Sequence, residues 1–195
     1  MAPIVELILV LLTSFGFNLI PFAGPSNLFI ASNAALLLNT TDPTTLVAIG
    51  TLVAFGAAFA KSIHYLVTFF VGKHLSLSRR ERLDADSEKV KRWAFWLLYI
   101  AAATPIPDEP VVIPLGLMKY SITKFFTAFL LGKLSITIIG AFLGAWTKST
   151  LSEWISPELT VALSIILTIG VTVVLLKVDL EKLMVRIRKI FKKKI

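Results

Sequence analysis

The chain contains no cysteine and only two histidines. The first absence excludes disulfide scaffolds, thiolate catalysis, Cys-ligated zinc and iron–sulfur clusters. The second leaves too few imidazoles for most metal sites. Charge is scarce too: 16% of 195 residues, against about 25% in an ordinary soluble domain. No nucleophile elbow, P-loop, zinc-binding helix or arginine-bearing phosphatase pattern occurs. The chain therefore reads as a non-enzyme with no cofactor and no metal. A basic segment ahead of the first apolar stretch is also missing, and Glu6 stands where Lys or Arg would be expected. Residues 1–38 are thus expected to belong to the mature fold and not to a cleaved signal.

What fills the space is apolar. Hydrophobic residues make up 56% of the chain, and the mean hydropathy is +0.81. A soluble domain of this size leaves too much surface exposed to hide that content, and a disordered chain would not carry it. An integral membrane protein is expected, forming one compact bundle. The net charge of +8 is concentrated in two blocks. Residues 73–92 hold seven Lys/Arg against four Asp/Glu, and residues 177–195 hold eight against two. Basic blocks that flank apolar stretches mark cytoplasmic loops. They lack the basic and aromatic face of a nucleic-acid binder, so no nucleic-acid partner is expected.

Crossing the hydrocarbon core takes about 20 helical residues. Residues 44–72, 122–146 and 158–176 meet or approach that length. Residues 28–38 and 93–103 do not, and each adjoins a Pro-rich break. Proline removes a backbone donor and drives the preceding residue out of helical geometry. In lipid such a break is tolerated only inside protein or beside a water-filled cavity. Residues 3–38 and 93–118 are therefore expected to be re-entrant hairpins with tips at 21–27 and 104–110. Residues 3–20 are also long enough to cross fully, at roughly 27 Å as a helix, so for the first hairpin both readings stay open.

Overlaying Gly24-Pro25-Ser26-Asn27 on Ile106-Pro107-Asp108-Glu109 sets an offset of 82 residues, which also places Gly50 on Gly132. The expected fold class is all-α: two repeats, each a re-entrant hairpin plus a transmembrane helix, followed by a C-terminal transmembrane helix. The single transmembrane domain is 1–177, with repeat one at 3–72, a cytoplasmic linker at 73–92 that is a solvated or interfacial helix over 78–92, repeat two at 93–147 and the last helix at 158–177. Residues 178–195 form a basic cytoplasmic tail suited to anionic lipid. The charge asymmetry orients residues 44–72 outside to inside and 122–146 inside to outside. The repeats are then inverted, as in secondary transporters whose site lies between broken helices near the midplane.

Asp108 and Glu109 are the sharpest candidates. They sit together among Thr104, Pro105, Pro107 and Pro110, inside an apolar region. A charge at membrane depth costs at least about 2.5 kcal/mol on insertion scales. Retained there, the pair can carry a proton; its plainer role is capping the helix that follows. Gly24, Pro25, Ser26 and Asn27 occupy the matching tip, where a half-helix start suits an anionic head group or simple capping. Lys61 and Lys133 fall near the middles of the two long stretches, with Asp108 and Glu109 as their natural partners. A purely structural ion pair is the bland alternative. His64, three residues from Lys61, shares its face and could relay protons or merely form a hydrogen bond. Gly140 and Gly144 have the spacing that lets helices approach closely. Asn39-Thr40-Thr41 is a glycosylation sequon whose use depends on the host.

At these residues the chain resembles the DedA family, also called the VTT-domain or SNARE-associated Golgi protein family, over roughly residues 15–147. The likeness rests on the break at 21–27 and on Gly56-Ala57-Ala58 through Tyr65 to Gly72-Lys73. It rests most on Thr104-Pro105-Ile106-Pro107, Pro114-Leu115-Gly116, Met118-Lys119-Tyr120, Gly132 and Gly140 to Gly144. The resemblance implies two re-entrant hairpins and movement of phospholipid or polyprenyl-phosphate carriers across the cell membrane, as flippase or scramblase. Proton coupling and a homo-oligomer are compatible with it. The family's arginines near the second break fall here at Thr104 and Pro110, with Asp108 and Glu109 between them. This departure puts arginine-based phosphate capture in doubt. It leaves another head group, or a phosphate held by helix N-termini and Lys61 or Lys133. Two rival readings remain at this stage: a proton-coupled exporter of small cations or drugs, and a non-transporting membrane assembly protein.

Overall fold

A computed structural model describes residues 3–21, 24–73, 77–105, 107–151 and 166, with backbone alone at 73, 77–89 and 151. The described residues form six helices and no strand: α1 (Ile4–Asn18), α2 (Asn27–Leu37), α3 (Pro43–Lys73), α4 (Leu77–Ala102), α5 (Glu109–Leu117) and α6 (Ile122–Leu151). The last expected transmembrane helix, 158–177, and the basic tail, 178–195, lie outside the described residues, apart from Ile166.

Two helices, α3 and α6, are long and apolar enough to cross a membrane. Across the described helices, polar and ionic side chains are buried beside the apolar core while many large apolar side chains face outward. Ser14, Asn18, Asn27, Lys61, Asp108, Glu109, Lys133 and Thr137 point inward, while Ile4, Leu9, Val67, Phe70, Trp96 and Ile139 face outward. On α1 the buried positions are Val10, Ser14 and Asn18, one stripe at four-residue spacing. Surfaces of this kind suit a hydrocarbon solvent, where polar groups must find partners within the protein. At 15 residues, α1 is about 22 Å long, short of a core about 30 Å thick.

Consecutive helices are not the main packing partners. α1 packs on α3 and α4 on α6, whereas α2 lies chiefly on α6 and α5 on α3. α3 and α6 run antiparallel through the centre. Phe59 meets Phe126, Tyr65 meets Phe125, and the Thr137 hydroxyl donates to the Gly50 carbonyl at 2.7 Å. Each short helix is thus clasped by the long helix of the opposite half. Two apolar clusters result. The one beneath α5 is aromatic, built on Tyr65, Phe125 and Phe129. The one beneath α2 is small and aliphatic, built on Ala31, Ala34, Ala35, Ile49, Val53, Ala141 and Ala145. Gly140 and Gly144 explain the second: a Cβ on them would sit 2.6 and 2.2 Å from the Leu28 and Ser32 carbonyl oxygens. The backbone of α2 can approach α6 that closely only because no side chain intervenes.

The short helices also end alike. After α2, Asn39 adopts φ 51°, and after α5, Lys119 adopts φ 53°. Thr40 N–H reaches back to the Ala35 carbonyl, and Tyr120 N–H to that of Leu115. Both are Schellman closures, which satisfy carbonyls that a helix end leaves unpaired. Asp42 starts α3: its carboxylate accepts from the Thr44 and Thr45 hydroxyls and from Thr45 N–H. These bonds, Thr44's foremost, hold its carboxyl down from 3.8 to about 2.

Two expectations need correction. The boundary between linker 73–92 and a hairpin starting at 93 does not exist in the backbone, because α4 runs unbroken across it. Its charged first half shortens the apolar run without breaking the helix, so hydropathy alone misplaces the start. The offset that aligns Gly50 with Gly132 is not a packing equivalence, since Gly50 faces α6 and Gly132 faces Tyr99 and Ala103 at the α4 end.

Candidate functional site

The site is built where α5 starts. Pro107 and Pro110 bracket Asp108 and Glu109, so the chain turns sharply into the helix with few donors to satisfy. The Asp108 carbonyl accepts from Val111 N–H at 2.9 Å and Val112 N–H at 3.0 Å, and Pro110 has no N–H. Asp108 occupies the cap position, yet its side chain makes no capping bond. The plain capping role is thus not what this carboxylate does.

Instead the two acids diverge. Asp108 Oδ2 meets Lys133 Nζ of α6 at 2.8 Å, and Glu109 Oε1 meets Lys61 Nζ of α3. All four residues are at most 4% exposed. Lys61 and Lys133 each lie within about four residues of the midpoint of their helix, at mid-depth of the two spans. Phe129 stacks beneath Lys133, with its ring centre 5.1 Å from Nζ, an arrangement that favours a desolvated cation. Thr137, one turn along α6, shares its hydroxyl proton between the Gly50 and Lys133 carbonyls, each at 2.7 Å. Asp108 Oδ1 is buried and has no hydrogen-bond partner among the described residues.

The surrounding candidates form a rim. Pro105, Pro107 and Pro110 are exposed, while Thr104 is half-buried and closes α4 by donating to the Ala101 carbonyl at 2.9 Å. Ile106 lies outside the described residues.

The first tip is held differently. Asn18 and Asn27 exchange amide hydrogen bonds at 2.8 and 3.0 Å. Asn18 also donates to the Ser14 carbonyl, and the Ser14 hydroxyl donates to the Val53 carbonyl of α3 at 2.7 Å. Ser26 caps α2 by accepting from Phe29 N–H, and Pro25 and Gly24 are half-buried beside it. A Cβ on Gly24 would meet the Phe17 carbonyl oxygen at 2.6 Å, so the return of the chain past α1 needs glycine here. His64 Nε2 lies 3.0 Å from the Leu19 carbonyl oxygen. On α3, therefore, His64 holds the end of α1 while Lys61, three residues away, holds the start of α5. Both Pro-broken segments attach to one turn of one helix.

Ser14, Asn18 and Thr137 were not singled out in the sequence. Their signal was present: isolated polar residues in apolar runs, with Ser14 and Asn18 spaced to share a face.

The family model for the VTT domain matches residues 8–146. The chain belongs to the VTT-domain family, the DedA or SNARE-associated Golgi protein family. The match runs from within α1 to near the end of α6 and includes both tips and all four ionic residues. The family is membrane-associated, in agreement with the two candidate spans and the apolar exterior. No curated protein and no solved structure matches this chain.

Proposed function

We propose that this VTT-domain protein moves lipid across the cell membrane as a flippase or scramblase, carrying the head group of a phospholipid or polyprenyl phosphate through its interior while the tails stay in the bilayer. One observation carries the reading: two ion pairs buried at mid-depth, both made by the first residues of one short helix. Four ionised groups at that depth are expensive for stability alone, since a well-packed apolar replacement is often as stable or more so. Ionisable residues inside a membrane mark a path by default.

In this reading α1–α2 and the end of α4 with α5 are re-entrant hairpins of two inverted repeats, with 73–92 and the C-terminus cytoplasmic. The exchanged packing, α2 on α6 and α5 on α3, supports a twofold relation between the halves. So do the matched Schellman closures at Asn39 and Lys119. Gly24, Pro25, Ser26 and Asn27 would border the path from one side, and Thr104, Pro105, Pro107 and Pro110 from the other. Lys61, Lys133, Asp108 and Glu109 would line its narrowest point, with His64 beside them. Protons are the proposed coupling ion. Export of a small cation is disfavoured because each acid already faces a lysine.

The test is lipid movement in vesicles of defined composition, comparing wild type with Asp108→Asn plus Glu109→Gln. The reading expects loss of most of the flux. Wild-type rates in the double variant would remove the carboxylates from the path.

A further inference from the structure

Resting on the lipid-transport reading above, we infer that the Asp108 carboxylate at the start of α5 is a built-in substitute for the travelling anion: a phosphodiester group takes Lys133 only as Asp108 takes up a proton. The cluster holds two cations and two anions with at most 4% exposure at any member. Such a site tolerates exchange of partners but not a change of net charge, because an unpaired buried charge is costly. A phosphodiester brings one negative charge. If it claims Lys133, Asp108 is left as a buried carboxylate without its cation. One proton on Asp108 restores the balance.

The geometry selects Asp108. Its Oδ2 is engaged by Lys133, but Oδ1 is buried with no partner among the described residues. A proton can therefore bind Oδ1 before the contact to Lys133 breaks. The O–H bond forms at Oδ1, the Lys133 contact to Oδ2 opens, and Nζ–H turns to the phosphate oxygen. The described titratable groups of α3 around the cluster are otherwise engaged. Lys61 is on Glu109, His64 meets the Leu19 carbonyl, and the Tyr65 hydroxyl donates to the Tyr120 carbonyl. From α4, the Tyr99 hydroxyl meets Ser135 Oγ.

The full chain is titrated in dodecyl maltoside micelles, which contain no phosphate, between pH 5 and 8. One arm uses dimethyl phosphate and the other dihexanoylphosphatidylglycerol, both singly charged across this range. Calorimetry in buffers of different ionisation enthalpy counts protons. One proton is expected to enter per anion bound, with affinity tightening by up to about tenfold for each unit that the pH falls. Asp108→Asn is expected to bind with no pH dependence, Glu109→Gln to keep the dependence, and Lys133→Gln to lose binding. Binding in both arms assigns the phosphodiester alone as ligand; binding only of the lipid adds its glycerol and chains. Wild-type affinity independent of pH, binding without proton uptake, no binding in either arm, or a pH slope surviving in Asp108→Asn would each overturn the inference. Linked binding with no lipid flux in vesicles would instead overturn the transport reading and leave the exchange standing. Flux with pH-independent binding would do the reverse.

Discussion

The start of α2 and the start of α5 stand at matching places in the chain, and each is fastened to the long helices by buried polar side chains. Their chemistry differs. At α2 the fastening is neutral: Asn27 and Asn18 share two amide bonds, and Ser14 passes the connection to α3. At α5 it is ionic: Asp108 and Glu109 reach separate helices and take a lysine from each. An amide pair does not respond to pH between 5 and 8 and carries no net charge to be neutralised. An ion pair responds to protons, competing ions and the membrane potential. The start of α2 is thus held by a neutral clasp and the start of α5 by an ionic one. The cores beneath them follow the same division. Small residues and backbone contact lie under α2, and bulky rings able to shelter a cation lie under α5.

The largest expected effect tests the responsive side. Lys133→Ala strands Asp108 as a buried charge and should cost about 3–5 kcal/mol, measured as thermal unfolding in detergent. Replacing the pair together, Asp108→Leu with Lys133→Met, should restore or exceed wild-type stability while abolishing lipid flux. A double variant as unstable as Lys133→Ala would mean that the ion pair serves the fold first.

On the neutral side, Asn27→Leu leaves Asn18 with an unmet buried amide. It should cost about 1–3 kcal/mol, and the loss should be the same at pH 5 and pH 8. A pH-dependent loss would erase the contrast between the clasps. At their far ends the two short helices differ only in residue type. Lys119→Gly should gain about 0.5 kcal/mol by removing a side chain from the left-handed region, and Asn39→Gly should gain less, because Asn tolerates it. Equal gains would show that the closures are interchangeable.

The smallest effect lies at Asp42, in the connection that leaves α2. Its carboxyl is held at about 2, below the ordinary 3.8. A depressed value means stabilisation that is full above about pH 4 and lost as pH falls towards 2. The melting temperatures of wild type and Asp42→Asn should therefore differ slightly above pH 4 and converge below it.

Much of this was legible in the residues. The breaks at 21–27 and 104–110, the lengths of α3 and α6, and the need of two mid-span lysines for acidic partners follow from proline chemistry and from the cost of charge in lipid. Which lysine takes which acid did not. Lys61 and Lys133 are equally plausible partners for either acid until α3 and α6 are placed around the start of α5. The exchanged packing of α2 and α5 was also invisible. Short helices that are buried nearly all round carry no amphipathic stripe, so their sequence does not say against what they rest. The amide clasp was overlooked because single Asn and Ser residues in an apolar run look incidental until their shared face is known. The continuity of α4 was obscured by its charges, which alter hydropathy but not helicity.

The ion pair between α3 and α5 also sets a schedule for synthesis. Lys61 and Glu109 are 48 residues apart, and the lysine is made first. At 5–20 residues per second, Lys61 waits roughly 2–10 s before its carboxylate leaves the ribosome. During that interval α3, if already in the bilayer, holds an unmatched ammonium near its middle. A nine-residue α5 containing Pro114 cannot nucleate as a helix alone to meet it. Insertion of α3 must then be either delayed or chaperoned by whatever shelters the lysine, which makes the second half of this chain a condition for the stable residence of the first.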